Sequence, residues 1–365
     1  MSSDLVIAIA IASALAFGFT NGFHDTSDLI GTAVSTGAAP PQVAIAFAAL
    51  LNFAGAFISV EVARTIAENV IDAGLITPAV VFAGLIGAIA WNLATWWLGL
   101  PSSSSHALIG GLVGATLAAA GTAGVDGPGL LDKVLIPALV APVLAFLVAG
   151  TAIAVAYRLF GRRRPGSVSR GFRYAQIGSG GLLALAHGAN DVQKTTGVIA
   201  LALIANGSLG SDANPPFWAS VSAAAVLAVG TYGGGWRMLR TTGARIIKMD
   251  AAQGFSAQSA GAAVILGATF LGFPISTTHA INGGVMGAGA TKRVSAARWG
   301  VAGNIVTAWL LTLPAAAAIG AVAYGLMRIP GTGALGPVLV TVALLAVLVI
   351  VFTHRIRRGS LPLTA

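Results

Sequence analysis

The chain has 365 residues, of which 56% are hydrophobic and only 8% are charged, and its mean hydropathy is +0.87. This composition excludes a soluble globular protein, which would need far more charge on its surface, and predicts an all-α, polytopic protein of the cell membrane. The net charge of +9 comes from bases gathered in a few loops, which indicates contact with anionic lipid rather than nucleic-acid binding. There is no cysteine, so disulfides and thiolate chemistry are excluded, and no cofactor is expected.

The first half contains five apolar segments, each long enough or nearly long enough to cross a bilayer. The first segment lacks a basic leader and leads into a polar stretch, so we expect it to remain as a membrane segment rather than to be cleaved. We also expect its helix to be interrupted at Thr20–Gly22. The five segments lie near 5–36, 41–62, 77–99, 101–121 and 134–160.

A basic connection divides the chain into two halves, 1–160 and 174–353. Residues 161–173 contain several arginines and no acidic residue, which predicts a cytoplasmic linker. The bases at the start of the tail, 354–365, place the C-terminus in the cytoplasm as well, and five crossings before the linker place the N-terminus outside. The second half has segments near 174–206, 217–236, 255–272, 274–290, 299–327 and 334–353.

Ionisable residues lie inside one of the apolar segments. Residues 187–194 read His-Gly-Ala-Asn-Asp-Val-Gln-Lys, and ionisable groups at bilayer depth are costly and usually functional. Five glycines between 174 and 206 favour two half-helices that meet near Gly188–Asn190. Broken helices at this depth line protein or a water-filled cavity, where a transported ion would bind. The alternative is a structural ion pair between Asp191 and Lys194.

The two halves repeat each other in sequence. A shift of 166 residues aligns Gly-Phe-His-Asp at 22–25 with Gly-Ala-Asn-Asp at 188–191. A shift of 173 aligns Pro-Ser-Ser-Ser-Ser-His-Ala at 101–107 with Pro-Ile-Ser-Thr-Thr-His-Ala at 274–280. Both matches occur in the same order at nearly the same offset, so chance is a poor explanation.

Loop charge predicts that the two repeats have inverted topology. The loop at 61–76 is acidic whereas its counterpart at 237–250 is basic, and the loops at 122–133 and 291–298 differ in the same way. Basic loops remain on the cytoplasmic side, so equivalent loops should lie on opposite faces of the membrane. Inverted repeats of this kind place a substrate site at the midplane of the membrane, between the two halves.

Two clusters of hydroxyl side chains suit an oxyanion. Each cluster follows a proline and precedes a glycine-rich helix, where free N–H groups and the positive end of the helix dipole favour negative charge. The segments that hold them, 101–121 and 274–290, either cross the membrane or re-enter it as hairpins. The alternative is that the hydroxyls only cap their helices. The predicted anion-binding residues are Ser103, Ser104, Ser105, Ser276, Thr277 and Thr278.

Carboxylates beside an anion site predict a coupled cation. Asp25 and Asp191 would repel an anion unless a metal ion or a proton neutralises them. Oxygen ligands suit sodium, whereas a proton needs only one carboxylate or a histidine. The sequence does not decide whether the coupled cation is sodium or a proton. If it is sodium, Asp25 and Asp191 are the predicted metal ligands. The predicted cation-binding or coupling residues are Asn21, His24, Asp25, Asn190 and Asp191.

The repeat also pairs two opposite charges, Asp28 and Lys194. Each lies three residues beyond an aspartate, so on a helix each shares a face with that aspartate. If the halves cross near a pseudo-two-fold axis, the two side chains approach each other, and a lysine in lipid surroundings needs such a partner. We therefore predict an Asp28–Lys194 ion pair. The alternatives are that Lys194 pairs with Asp191 or contacts the anion itself.

The repeated motif resembles that of the inorganic phosphate transporters, whose mark is a Gly-Ala-Asn-Asp signature in each half. Residues 187–197 are very similar to this signature, residues 20–26 resemble a variant common in bacterial members, and the resemblance covers nearly the whole chain. It implies cation-coupled uptake of inorganic phosphate by a low-affinity permease with inverted repeats, often as a homodimer. The chain departs from bacterial relatives at Asp28, where they usually have asparagine, and this leaves the number and identity of the cations open.

Three other functions fit parts of the pattern. Phosphate at neutral pH carries one or two protons that it can donate to a carboxylate, whereas sulfate carries none. Aspartates in contact with the anion therefore favour phosphate over sulfate. A hydrolase would pair Ser105 with His106, but neighbours on a helix point about 100° apart and are badly placed for proton transfer. A passive channel explains neither of the two acidic motifs. We therefore predict a symporter that works by alternating access, not an enzyme, with a sulfate permease as the alternative.

Overall fold

The computed structural model describes residues 2–162, 164–234, 249–291, 299–331 and 333–357. In these ranges the chain is all-α, as predicted, and β pairing is limited to one isolated bridge between Ile71 and Val125. The described helices of eight or more residues are α1 Ser2–Ser35, α2 Pro41–Gly55, α3 Glu61–Glu68, α4 Pro78–Leu98, α5 Ser104–Ala120, α6 Ile136–Phe160, α7 Pro165–Ala205, α8 Phe217–Gly234, α9 Ala251–Phe270, α10 Thr277–Ala290, α11 Trp299–Arg328 and α12 Leu335–Arg357.

The distribution of side chains is that of a membrane protein. Leu139 on α6 and Leu310 on α11 are 70% and 69% exposed, whereas Asp191 and Lys194 are 0% exposed. Apolar side chains outside and charged side chains inside suit a lipid environment. Within the described residues, five helical stretches are long and apolar enough to cross a membrane, namely Asp4–Ser35, Pro78–Leu98, Ser104–Gly124, Gly127–Phe160 and Val306–Arg328.

The predicted helix breaks at Thr20–Gly22 and Gly188–Asn190 are wrong, because α1 and α7 run through both points without interruption. The glycines instead allow close helix packing. A Cβ atom on Gly22 would lie 2.2 Å from the carbonyl oxygen of Leu227 on α8. A Cβ atom on Gly188 would lie 2.0 Å from the carbonyl oxygen of Asn52 on α2. The glycines therefore set the distance between helices around the centre of the protein.

Replacing Gly188 by alanine should destabilise the protein, although alanine is the better helix former by about 1 kcal/mol. The new Cβ would meet backbone, and overpacking of this kind costs about 1–3 kcal/mol or more. Gly178→Ala is a matched control in the same helix, since a Cβ there meets nothing within 4 Å. Thermal unfolding in detergent should show a lower melting temperature for Gly188→Ala alone. Equal melting temperatures for the two variants would contradict this packing role.

Two predicted segment boundaries differ from the structure. The segment 41–62 is divided into α2 and the short, separate helix α3. The basic linker 161–173 is irregular only at its start, because α7 begins at Pro165 and includes the rest of it. Proline suits the first position of a helix, where its missing N–H group is not needed. The linker therefore extends the helix that carries Asp191.

The prediction of inverted topology depends largely on loops outside the described residues. Residues 235–248 and 292–298, which hold most of the basic side chains of two loops, lie there, as does the end of the tail, 358–365. The inversion of the repeats, their boundaries and the sides on which the termini lie therefore stay predictions.

Two helical hairpins bring the hydroxyl clusters together at the centre of the protein. Helices α4 and α5 form one hairpin, and α9 and α10 form the other. The hairpin tips meet, since the Ser105 hydroxyl donates to the carbonyl oxygen of Ile275 at 2.9 Å. Helix α10 has 14 residues and is about 21 Å long, shorter than the hydrocarbon core of about 30 Å. This length favours a re-entrant hairpin at α9 and α10, whereas both arms of the first hairpin, Pro78–Leu98 and Ser104–Gly124, are long enough to cross.

Candidate functional site

Two aspartates from opposite halves of the chain converge at the centre of the protein. Asp25 on α1 and Asp191 on α7 are both 0% exposed. Their carboxylates and the imidazole of His187 each offer one ligand atom, and these atoms all lie within 4.8 Å of one another. The structure thus brings together the two acids that the sequence repeat aligns.

The imidazole of His187 lies between the two carboxylates. Its Nε2 atom is 3.7 Å from Asp25 Oδ2 and 3.4 Å from Asp191 Oδ2. Its Nδ1 atom is 3.1 Å from Asn52 Oδ1, and the Asn52 amide nitrogen donates to the Thr231 hydroxyl at 3.0 Å. This network makes Asn52 Oδ1 the acceptor, so Nδ1 carries the proton. In a neutral ring the Nε2 lone pair would then face two carboxylates, an arrangement that a proton on Nε2 or a metal ion in front of it would relieve.

His24 contacts the other side of the Asp25 carboxylate. Its Nδ1 atom lies 2.8 Å from Asp25 Oδ1. Its Nε2 atom lies 3.3 Å from the Thr95 hydroxyl on α4 and 3.4 Å from the Ser102 hydroxyl at the hairpin tip. His24 therefore connects the predicted cation ligand to the first hairpin.

Asn21 and Asn190, both predicted cation ligands, have different neighbours. The Asn21 amide nitrogen donates to Asp191 Oδ2 at 3.0 Å and so links α1 to α7. The Asn190 amide nitrogen donates to the Thr269 hydroxyl at 2.9 Å and to the Phe273 carbonyl oxygen at 3.1 Å, which holds the segment before α10. Both amide oxygens are buried without a hydrogen-bond partner in the described part of the chain. Such orphaned acceptors in a polar centre are available to a cation.

Ser103 and Ser276 cap the helices that they precede. The Ser103 hydroxyl oxygen accepts from the His106 N–H group at 3.1 Å, and the Ser276 hydroxyl oxygen accepts from the His279 N–H group at 3.2 Å. The two residues thus follow the capping alternative, and they do so in the same way in both halves. Their role in anion binding stays a prediction.

Ser104 and Thr278 point their hydroxyl groups at Asp25. The Ser104 hydroxyl donates to Asp25 Oδ2 at 2.9 Å, and the Thr278 hydroxyl lies 3.5 Å from Asp25 Oδ1. The carboxylate therefore lies at the N-termini of both α5 and α10, where negative charge is favoured. Thr277 directly precedes Thr278, and its hydroxyl group is buried without a hydrogen-bond partner among the described residues. Asp25 is thus the anion that these groups bind in this structure.

Lys194 forms its ion pair with Asp191 and not, as predicted, with Asp28. Its Nζ atom lies 2.7 Å from Asp191 Oδ1 and 2.8 Å from the Ile275 carbonyl oxygen, and it also donates to the Ser105 hydroxyl. The reason is local, because residues three apart share one face of the continuous helix α7. Asp28 is buried on α1 and has no ion pair within the described ranges.

Comparison with known proteins identifies the family. Residues 21–320 match the phosphate transporter family. A protein of Mycobacterium tuberculosis (strain H37Rv) is 50% identical over 327 residues, which cover 89% of this chain and 78% of that protein. The chain belongs to the phosphate transporter family. A protein of Bacillus subtilis is 41% identical over 327 residues, covering 89% of this chain and 97% of its own, and both relatives are described as a "probable low-affinity inorganic phosphate transporter".

A solved structure confirms the fold of this transporter. The structure entitled "The sodium-dependent phosphate transporter" has a TM-score of 0.81 and 24% sequence identity, and the match covers 89% of this chain and 99% of that one. The family match and the two relatives confirm the resemblance to phosphate transporters and identify the protein as a transporter rather than an enzyme. Family membership also favours phosphate over the sulfate alternative.

His187, although part of the motif at 187–194, was not predicted as a cation-binding residue, and Asn52 was not predicted as part of the site at all. His187 lies four residues before Asp191, a spacing that places both on one face of a helix. The predicted helix break at Gly188 removed that inference. Asn52 carries no comparable signal, because only the packing of α2 against α7 brings it to the ring.

Proposed function

We propose that this transporter takes up inorganic phosphate together with a cation, by alternating access around Asp25 and Asp191. The observation that carries the proposal is the convergence of both carboxylates on His187, with ligand atoms within 4.8 Å, beside the N-termini of two helices. Carboxylates require a cation, whereas helix N-termini favour an anion. One buried centre therefore has the groups to bind both partners of a symport reaction.

The cation site is proposed between Asp25, Asp191 and His187. Lys194 neutralises the Asp191 carboxylate, so the charge of the Asp25 carboxylate remains uncompensated when His24 and His187 are both neutral. A proton on His187 Nε2 would cancel it. A sodium ion would do the same with the carboxylates and the amide oxygen of Asn21 as hard ligands. The two occupants exclude each other, since both need the space in front of Nε2.

The phosphate site is proposed at the two hairpin tips. Here the Ser104 and Thr278 hydroxyls face the Asp25 carboxylate, and the Thr277 hydroxyl has no partner within the described residues. A cation beside His187 attracts the Asp25 carboxylate and weakens its hold on these hydroxyls. The hydroxyls and the first N–H groups of α5 and α10 then become available to phosphate. Cation binding thereby promotes anion binding, which is the requirement for coupling.

Removing the Ser104 and Thr278 hydroxyls together should weaken phosphate affinity without changing which cation drives uptake. A hydrogen bond to a charged group contributes about 1.5–3 kcal/mol, so removing two of them in Ser104→Ala with Thr278→Ala should raise the KM for phosphate by at least about 100-fold. Ser222→Ala is the control, because its hydroxyl donates only to a carbonyl oxygen of its own helix. An altered ion dependence with unchanged affinity would assign these hydroxyls to the cation site instead.

Counterflow in proteoliposomes tests the carrier mechanism and the substrate together. Vesicles loaded with unlabelled phosphate should accumulate external labelled phosphate transiently above its equilibrium level. A carrier that takes unlabelled phosphate out returns to the inside with labelled phosphate bound. Vesicles loaded with sulfate should not. Equilibration without overshoot would indicate a channel, and an equal overshoot with sulfate would show that the site does not select phosphate.

A further inference from the structure

The ammonium group of Lys194 donates hydrogen bonds to three oxygen atoms. The side chain is one of the largest that are fully buried, and its ammonium group contacts Asp191 Oδ1 at 2.7 Å, the Ile275 carbonyl oxygen at 2.8 Å and the Ser105 hydroxyl oxygen. An ammonium group has three protons to donate, and here each has an acceptor. The three acceptors come from α7, the tip of the second hairpin and the start of α5.

This set of acceptors is larger than an ion pair requires. Asp191 alone would neutralise the charge of Lys194. The Ser105 hydroxyl donates its own proton to the Ile275 carbonyl oxygen at 2.9 Å, so it turns a lone pair towards the ammonium group. One carboxylate, one hydroxyl oxygen and one carbonyl oxygen around a single positive charge are the hard ligands of a dehydrated monovalent metal ion.

We infer that the Lys194 ammonium occupies the position of a coupling cation and is a tethered substitute for it. A free ion at this position would bind and leave in each transport cycle, whereas the ammonium group remains attached to α7. Lys194 therefore reduces by one the number of free cations that accompany phosphate. That this cation is a coupling ion rests on the proposed function. That the oxygens around Lys194 Nζ form a cation site does not.

The position of this cation site explains why its occupant would matter for transport. Its three oxygens belong to α7 and to both hairpin tips, which also carry the proposed phosphate-binding hydroxyls of Ser104 and Thr278. A cation there holds the tips and α7 together. In a chain without a base at this position, that contact would depend on an ion from solution.

Truncating the lysine tests the inference by sodium binding rather than by transport. Lys194→Ala removes the ammonium group and leaves the oxygens of Asp191, Ser105 and Ile275 around a space. The purified variant should gain a saturable rise of several degrees in melting temperature when sodium chloride replaces choline chloride at constant ionic strength. Lys194→Met is the matched control, since it also removes the charge but fills the space, and it should not respond.

The inference is supported if sodium raises the melting temperature of Lys194→Ala more than it raises those of the wild type and of Lys194→Met. It is also supported if Lys194→Ala folds only in sodium chloride. Folded Lys194→Ala without such an excess overturns it. If Lys194→Ala is unfolded in both salts, Lys194→Ser decides, because its hydroxyl adds an oxygen ligand. No sodium response, or no folding, in Lys194→Ser overturns the inference. A failure of cation-coupled uptake would leave these binding results unchanged, so the two proposals fail separately.

Discussion

Replacing Asp25 by asparagine should abolish concentrative uptake of phosphate while leaving a folded protein. Asparagine retains the shape of the side chain and an oxygen acceptor for the Ser104 hydroxyl, but it removes the charge that attracts the cation. We expect the initial rate of cation-driven uptake of labelled phosphate into proteoliposomes to fall at least about 100-fold, which corresponds to roughly 3 kcal/mol. Asp191→Asn should have an effect of the same size.

The control for both variants is Asp212→Asn, which removes an exposed carboxylate outside both motifs. It should leave uptake unchanged. Equal melting temperatures of Asp25→Asn and the wild type would show that the loss is one of function and not of folding. Accumulation of phosphate at the wild-type level in Asp25→Asn would contradict the proposed role of this carboxylate.

Removing the imidazole of His187 should have the second largest effect. In His187→Ala the two carboxylates lose the group between them, so we again expect about a 100-fold fall in the rate of uptake, roughly 3 kcal/mol. Asn52→Ala, which removes the acceptor for His187 Nδ1 and the donor to the Thr231 hydroxyl, should reduce uptake by about tenfold, consistent with the loss of two hydrogen bonds that together contribute about 1.4 kcal/mol. Uptake by His187→Ala at the wild-type rate would exclude the ring from the cation site.

His187→Gln separates the two possible coupling cations. Glutamine retains a polar amide but cannot carry a positive charge. If the coupling cation is a proton on the ring, this variant should lose proton-driven uptake as completely as His187→Ala. If it is sodium bound by the carboxylates, sodium-driven uptake should persist in His187→Gln with a raised KM for sodium.

Local signals in the sequence predicted most of the helices and where the polar groups meet. The segment predicted at 77–99 is the helix Pro78–Leu98, because apolar runs bounded by proline and glycine have few alternatives in a membrane. Ser103 and Ser276 begin helices as expected of serine after proline. The alignment of Asp25 with Asp191 anticipated a shared centre, and the two carboxylates share one.

Glycine was the source of the largest error in predicting the fold. Gly22 and Gly188 were interpreted as helix breaks, whereas they allow the backbones of α8 and α2 to approach. Glycine can either interrupt a helix or allow a second helix to pack closely against it, and only the position of the neighbouring helix decides between these roles. The wrong partner for Lys194 has a separate source, because the repeat alignment suggested Asp28, whereas Asp191, three residues before Lys194 on the same helix face, is the partner in the structure.

Phosphate uptake driven by an imposed ion gradient tests the central claim most directly. Proteoliposomes containing the purified transporter receive equal phosphate inside and outside, and then an inward gradient of sodium or of protons. We predict that one of the two gradients raises internal labelled phosphate above the external concentration, that an ionophore for that ion abolishes the rise, and that Asp25→Asn does not accumulate phosphate. If internal phosphate never exceeds external phosphate under either gradient, transport is not coupled to these cations and the claim is contradicted.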